Sequence, residues 1–202
     1  LGTVLSAGLL LGNVTCSGAG TNCLPSDAND ILSKGEKIAA GTTIPAIKNT
    51  VTKDNPTLSI DGLGISLTFA SITTDGNLDV TVKDPNDIVA DTGAEHADDG
   101  SGALTMTIQS DDVTTLSSVF DFDLTGSAAN SGTMEITLPY DQADAFSAGY
   151  GEDELTIIHY TGGEWITEND CTTDTSADTI TCTVTSLSPF VIGGVHKSGS
   201  NV

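Results

Sequence analysis

A chain of 202 residues is long enough for one large β-sandwich or two small modules. It carries 28 acidic residues against six lysines and no arginine, a formal charge of −22, which opposes binding to phosphate backbones and to anionic membrane surfaces. Hydrophobic residues make up 38% but aromatics only 4%, so the core must come mainly from Val, Ile, Leu and Ala. Abundant Thr, Val, Ile and Gly favour strands and tight turns over helices.

The first segment, "LGTVLSAGLLLGNVT", is the most apolar in the chain. It is too short for the long hydrophobic helix of a type IV pilin or an archaellin, and no apolar run of about 20 residues occurs anywhere, so no membrane span is expected. Two readings stand: the remnant of a signal peptide's apolar region, or an extended strand. As a strand it places Leu5, Ala7, Leu9 and Leu11 on one face and Val4, Leu10 and Val14 on the other. Such a strand must be buried in its own fold or against a neighbouring copy. A start at Leu1 rather than Met reads as processed, and Asn13-Val14-Thr15 is a glycosylation sequon consistent with export.

Cys16 and Cys23 bracket a short Ser/Gly-rich loop. The segment "LPSDANDILSKGEKIAAG" after it is the one helix candidate, with Ser26 or Asp27 as cap and Gly35 as stop. From about residue 42 the chain reads as successive strands, and turn residues recur about every 8–12 positions, the pattern of a sandwich or barrel. The segments are "TLSID", "GISLTFASIT", "NLDVTVK", a marginal "DIVAD", "ALTMTIQS", "SVFDFDLTG", "GTMEITLPY", "ELTIIHYT", "EWITE", "DTITCTVTS" and "PFVIGGV". Met134, Ile136 and Leu138 alternate with Glu135 and Thr137, as in a half-buried antiparallel strand. Val119 breaks the alternation of Phe120, Phe122 and Leu124.

The longest irregular stretch, residues 84–102, holds Asp84, Asp87, Asp91, Glu95, Asp98 and Asp99. It reads either as a solvated acidic loop or as a calcium or partner site, since hard cations take several carboxylate and carbonyl oxygens. Asp84, Asp87, Asp91, Asp98 and Asp99 are the candidate ligands, although their spacing is not that of an EF-hand. Asp141 and Asp144 form a second acidic neighbourhood.

Four cysteines admit three pairings. The local one, Cys16–Cys23 and Cys171–Cys182, is preferred; the second pair brackets two strand-like runs about a Ser-Ala-Asp turn, where facing residues lie within bridging range. Free thiols are the alternative. Disulfides persist in an oxidising compartment, and the cysteine and histidine spacing matches no zinc, iron–sulfur or c-type haem pattern. His96, His159 and His196 fall in no catalytic motif, and His159 in "LTIIHYT" reads as an outward or rim residue. The Glu152/Asp153/Glu154 run has few aromatic side chains to make a sugar cleft with it. An enzyme is not expected. Trp165, after a Gly-Gly turn, reads as a plug in the sandwich core rather than a sugar platform.

Residues 132–194, "GTMEITLPYDQADAF…GEDELTIIHYTGGEWITENDCTTDTSADTITCTVTSLSPFVIGG", resemble a β-sandwich module found in many bacterial and archaeal secreted surface proteins. The likeness rests on Pro139-Tyr140-Asp141, the hairpin from Tyr160 to Trp165, and the closing strand from Ser186 to Val191. It implies fold and location, assigns no catalytic residue, and makes Tyr160, Trp165 and Phe190 the large core anchors. An apolar N-terminus ahead of a complete-looking sandwich also resembles extracellular filament subunits joined by strand donation, a form of β-augmentation that propagates as a fibre. That resemblance makes Val4, Leu5, Ala7, Leu9, Leu10 and Leu11 the donor strand, with the Cys16–Cys23 loop stiffening the hinge behind it.

The expected architecture is therefore all-β: an antiparallel β-sandwich of immunoglobulin-like or jelly-roll style, with an extended apolar N-terminal strand and at most one short helix. Residues 1–24 form the N-terminal segment, 25–195 a single sandwich domain and 196–202 a frayed tail. The expected role is an extracellular structural subunit with copies of itself as partners. The alternative is a calcium-dependent adhesin or ligand-binding surface module.

Overall fold

The computed structural model describes residues 43–60, 64–83, 96–98, 104–108, 111–187 and 189–195. In chain order the strands are β1 (Thr43–Val51), β2 (Thr57–Ile60), β3 (Ile65–Thr74), β4 (Gly76–Lys83), β5 (His96–Asp98), β6 (Leu104–Ile108), β7 (Asp111–Thr115), β8 (Val119–Thr125) and β9 (Ala129–Pro139). A short helix α1 (Gln142–Ser147) and a 3₁₀ turn (Glu152–Glu154) follow, then β10 (Leu155–Thr161), β11 (Glu164–Thr167), β12 (Cys171–Asp174), β13 (Thr179–Val184) and β14 (Phe190–Val195). The all-β sandwich expected from the sequence is what forms.

Period-2 patterning dictates the pairing. In β9, Met134, Ile136 and Leu138 are buried while Glu135 is exposed, so one face of the strand joins the core. β9 is the centre of a five-stranded sheet ordered β12-β13-β9-β3-β2. A second sheet has β14 at its centre, with β10 and then β11 on one side. Its other edge is shared: Phe190 pairs with Phe120 of β8, and Gly193 to Val195 pair with β7. From β8 the sheet runs through β4 to β1, and from β7 through β6 to β5. All of these pairs are antiparallel.

At the fork between β7 and β8 the chain leaves the ladder, and Ser117 mends it. Leu116 N donates to Ile192 O at 2.7 Å. Ile192 N in turn donates to the buried Ser117 Oγ at 2.9 Å, and that hydroxyl donates to Ser118 O at 2.8 Å. A side chain thus stands in for a missing strand, which a buried backbone group requires.

The main core lies between the two sheets. Leu78, Val80, Val82, Phe120, Phe122, Ile157, Phe190 and Ile192 come from the larger sheet, and Leu58, Leu67, Phe69, Ile136, Leu138 and Ile180 from the smaller. Phe122 and Phe190 meet edge to face with centroids 5.9 Å apart. Each such side chain contributes about 1.5–3 kcal/mol by leaving water.

A second buried cluster occupies the other face of the larger sheet: Val113, Val119, Ile158, Trp165 and Val191, with Tyr160 and Val195 packed against it. There β6 comes against β11, so the sheet curls on itself and encloses that face. Trp165 is therefore not a plug of the sandwich core, and Tyr160 does not anchor it; the two rings pack together, 5.2 Å apart, in the second cluster. Phe190 is the one of the three expected anchors that reaches the main core. Val119 interrupts the alternation of its strand because both faces of β8 are buried at that end.

One helix stands where the sequence reading placed none. Asp141 accepts from Asp144 N at 2.8 Å and caps α1, Ala145 packs into the core, and Phe146 stays exposed. The helix expected within residues 24–41 lies outside the described residues, as do the apolar N-terminal segment and the tail from residue 196.

Candidate functional site

β10 alternates between the two cores. Leu155 and Ile157 face the sandwich, Ile158 faces the second cluster, and His159 follows on the sandwich side. The imidazole is 1% exposed and stacks on Phe190, its ladder partner, with centroids 4.3 Å apart and planes 25° apart. The outward or rim histidine expected from the sequence is in fact a core residue. A polar ring in that position must find partners for both nitrogens.

It finds them on two other segments. Nδ1 lies 2.6 Å from Oε1 of Glu168, just beyond β11, and Nε2 lies 3.4 Å from Oγ of Ser186, in the bend after β13. The Ser186 hydroxyl is also 2.9 Å from that of Thr161, two residues beyond His159. Burial holds the imidazole below the ordinary histidine range, and the Glu168 carboxylate offsets only part of that shift. The neutral ring is then the working form. A carboxylate only accepts, so Nδ1 carries the proton and donates to Glu168; Nε2 accepts from the Ser186 hydroxyl, whose oxygen accepts in turn from Thr161. The donors run Thr161, Ser186, His159, and Glu168 is the terminal acceptor.

The backbone fixes these groups. Glu168 N donates to Ile157 O at 2.9 Å, and Glu168 O accepts from the Thr156 hydroxyl at 3.0 Å. Gly162 and Gly163, with φ of 64° and 90°, make the two-residue turn that sets Thr161 opposite Glu164. Chemically, the arrangement can draw the Ser186 proton onto Nε2 while Glu168 stabilises the imidazolium, the division of roles in serine hydrolases. The sequence reading missed Glu168 and Ser186 altogether. The available signal was the third inward position of "LTIIHYT", where Leu155 and Ile157 predict burial for His159.

Cys171 and Cys182 face each other in the β12–β13 ladder and are disulfide-bonded. Cys16, Cys23, Asn13 and the donor residues Val4, Leu5, Ala7, Leu9, Leu10 and Leu11 lie outside the described residues, as do Asp84, Asp87, Asp91 and Asp99; the backbone of Asp98 ends β5. Among the described residues, no three His, Cys, Asp or Glu side chains gather as metal ligands, and no helix is long and apolar enough to cross a membrane. Asp141 caps a helix, as above. Glu152 accepts from the hydroxyl of buried Tyr140 at 2.5 Å, and burial with that carboxylate raises the phenol's pKa above its usual range. Glu154 accepts from Gly151 N at 2.9 Å. These two carboxylates fasten the excursion between β9 and β10.

No protein-family model and no curated protein matches the chain.

Proposed function

We propose that this chain is an extracellular structural protein, a subunit of a surface filament in which the N-terminal strand of one copy enters the sandwich of the next. The observation that carries the reading is the Cys171–Cys182 disulfide, set across an edge hairpin of an acidic two-sheet sandwich. A bond of that kind belongs to oxidising, extracytoplasmic surroundings. The likeness of residues 132–194 to prokaryotic surface modules supports the same location. The finer step, self-assembly, is supported by the position and apolar composition of Val4 to Leu11, which suit a strand laid into a neighbour's groove.

Removing residues 1–12 tests it. The full chain is expected to form fibres or concentration-dependent oligomers, seen by negative-stain microscopy and size-exclusion chromatography, and the truncated chain to stay monomeric. Fibres that persist unchanged after truncation would refute strand donation.

A further inference from the structure

The Ser186–His159–Glu168 array is more than burial requires. Placing an imidazole and a carboxylate in an apolar layer costs desolvation that a well-packed apolar residue avoids, and Phe190 offers a face against which a second phenyl ring would stack equally well. Three segments, β10, the turn after β11 and the bend after β13, nevertheless converge to place acid, imidazole and hydroxyl in donor order. His159 is buried, while Glu168, its side chain 15% exposed, and Ser186 are both partly exposed. The imidazole is thus closed off from water, while the serine whose hydroxyl it faces is not fully buried. Stacking on Phe190 fixes the plane of the ring, and the Glu168 contact fixes its tautomer, so the lone pair of Nε2 points at Ser186.

We propose that Ser186 is an activated nucleophile that takes an acyl group from activated esters, with His159 as its base and Glu168 as the positioning residue. In the step, Ser186 Oγ forms a bond to the ester carbonyl carbon and gives its proton to Nε2. The bond from that carbon to the leaving oxygen breaks, and the leaving group departs with the bonding pair. An imidazole held on Ser186 Oγ suits best an acyl donor that needs no proton on its leaving group. The donors that suit the site are those whose leaving group departs as a stable anion: aryl esters, or thioesters with a thiolate in the same role. The product is a chain acylated at Ser186. This inference does not rest on the filament reading, and each fails on its own test.

The full chain with its disulfide intact is incubated with p-nitrophenyl acetate and, separately, with a fluorophosphonate bearing a biotin reporter. The expected result is one equivalent of nitrophenolate per chain, with acetyl and phosphonyl groups mapped by peptide mass spectrometry to Ser186 above all other serines. Ser186→Ala abolishes both reactions. His159→Phe, which keeps a ring against Phe190, and Glu168→Gln each slow them by at least about a hundredfold. In the unsubstituted chain the rate rises with pH along a single ionisation lying below the ordinary histidine range. Absence of labelling at Ser186, labelling spread over many residues, or rates unchanged in both Glu168→Gln and His159→Phe overturns the proposal. Near-ultraviolet circular dichroism of each variant reports whether it is folded, and the wild-type labelling and pH profile decide the matter should a variant unfold.

Discussion

β14 is compressed from both sides at Gly193 and Gly194, and the two glycines predict different penalties for the same methyl group. A Cβ at Gly194 would lie 2.4–2.6 Å from three ring atoms of Tyr150, well inside the 3.5–4.0 Å optimum for carbon pairs. That ring cannot easily retreat: Tyr150 is buried, its hydroxyl lies 2.9 Å from Thr114 Oγ1, and its amide donates to Ala145 O. Relief needs a displacement of roughly 1 Å in a packed core, at the upper end of overpacking costs, about 3 kcal/mol. At Gly193 the Cβ would meet Ile158 Cδ1 at 2.3 Å and Val113 Cγ1 at 2.7 Å. Ile158 Cδ1 is the far end of a side chain that can turn aside, but buried Val113 and Ile158 Cγ1, 3.1 Å away, must also yield. Replacing Gly within a strand returns about 0.5–1 kcal/mol, so Gly193→Ala should cost about 1–2 kcal/mol net, less than Gly194→Ala. Urea unfolding with the disulfide oxidised measures both, and Gly194→Ala should lower the melting temperature by about 6–12 °C. Tyr150→Ala combined with Gly194→Ala completes a double-mutant cycle, with a coupling of about 2 kcal/mol or more because the methyl then enters vacated space. Simple additivity, or equal losses at the two glycines, would refute this account of β14.

Replacing Cys171 and Cys182 together by Ser should cost about 3 kcal/mol through the looser unfolded chain, given a loop with a sequence separation of 11; an unchanged urea midpoint would contradict it. His159 sets a pH dependence: burial lowers its pKa in the fold, so on acidification the unfolded chain binds that proton first. Its contribution is fully present above the unfolded value of about 6.5 and is lost as pH falls from there through the lower folded value. Glu168 Oε1 lies 2.6 Å from Nδ1, and the difference between wild type and His159→Phe across urea titrations from neutral to acid measures the effect of the ring. Asp141→Ala removes the cap of α1 and should cost about 1 kcal/mol, with faster amide exchange confined to the helix and its flanks.

Alternation of apolar and polar residues made most strands legible, β9 most clearly, and the cysteine spacing around a turn made the β12–β13 hairpin and its disulfide legible. Three strands were not; β5, only three residues long, falls inside the stretch 84–102 that reads as irregular. β1 contains Pro45, which falls where the register with β4 shifts between Ile44 and Ile47, and a proline inside a strand-like run argues against a strand unless a bulge absorbs it. β7 begins Asp111-Asp112, which reads as a turn. Helix α1 is only six residues long, too short for any apolar period to register. Trp165 and Tyr160 were assigned to the wrong core for a different reason. Period 2 tells which residues share a face, but it cannot tell that a curled sheet buries both faces.

The relay follows from that same two-sided burial. With Val191 in one core and Phe190 and Ile192 in the other, β14 has no polar side chain to offer. Any polar side chain in this part of the sheet therefore comes from its neighbours. His159, opposite Phe190, is one, and it presents its face to the phenyl ring and its two nitrogens to Glu168 and Ser186. Burial alone accounts for Glu168, because a nearly inaccessible Nδ1–H needs an acceptor. It accounts less well for the outer end. There a half-exposed Nε2 partner could be any donor, including water, yet two hydroxyls, Ser186 and Thr161, are lined up in series. An ordered pair of donors constrains the oxygen of Ser186 as well as the nitrogen of His159, and constraint on a nucleophile matters for chemistry more than for packing.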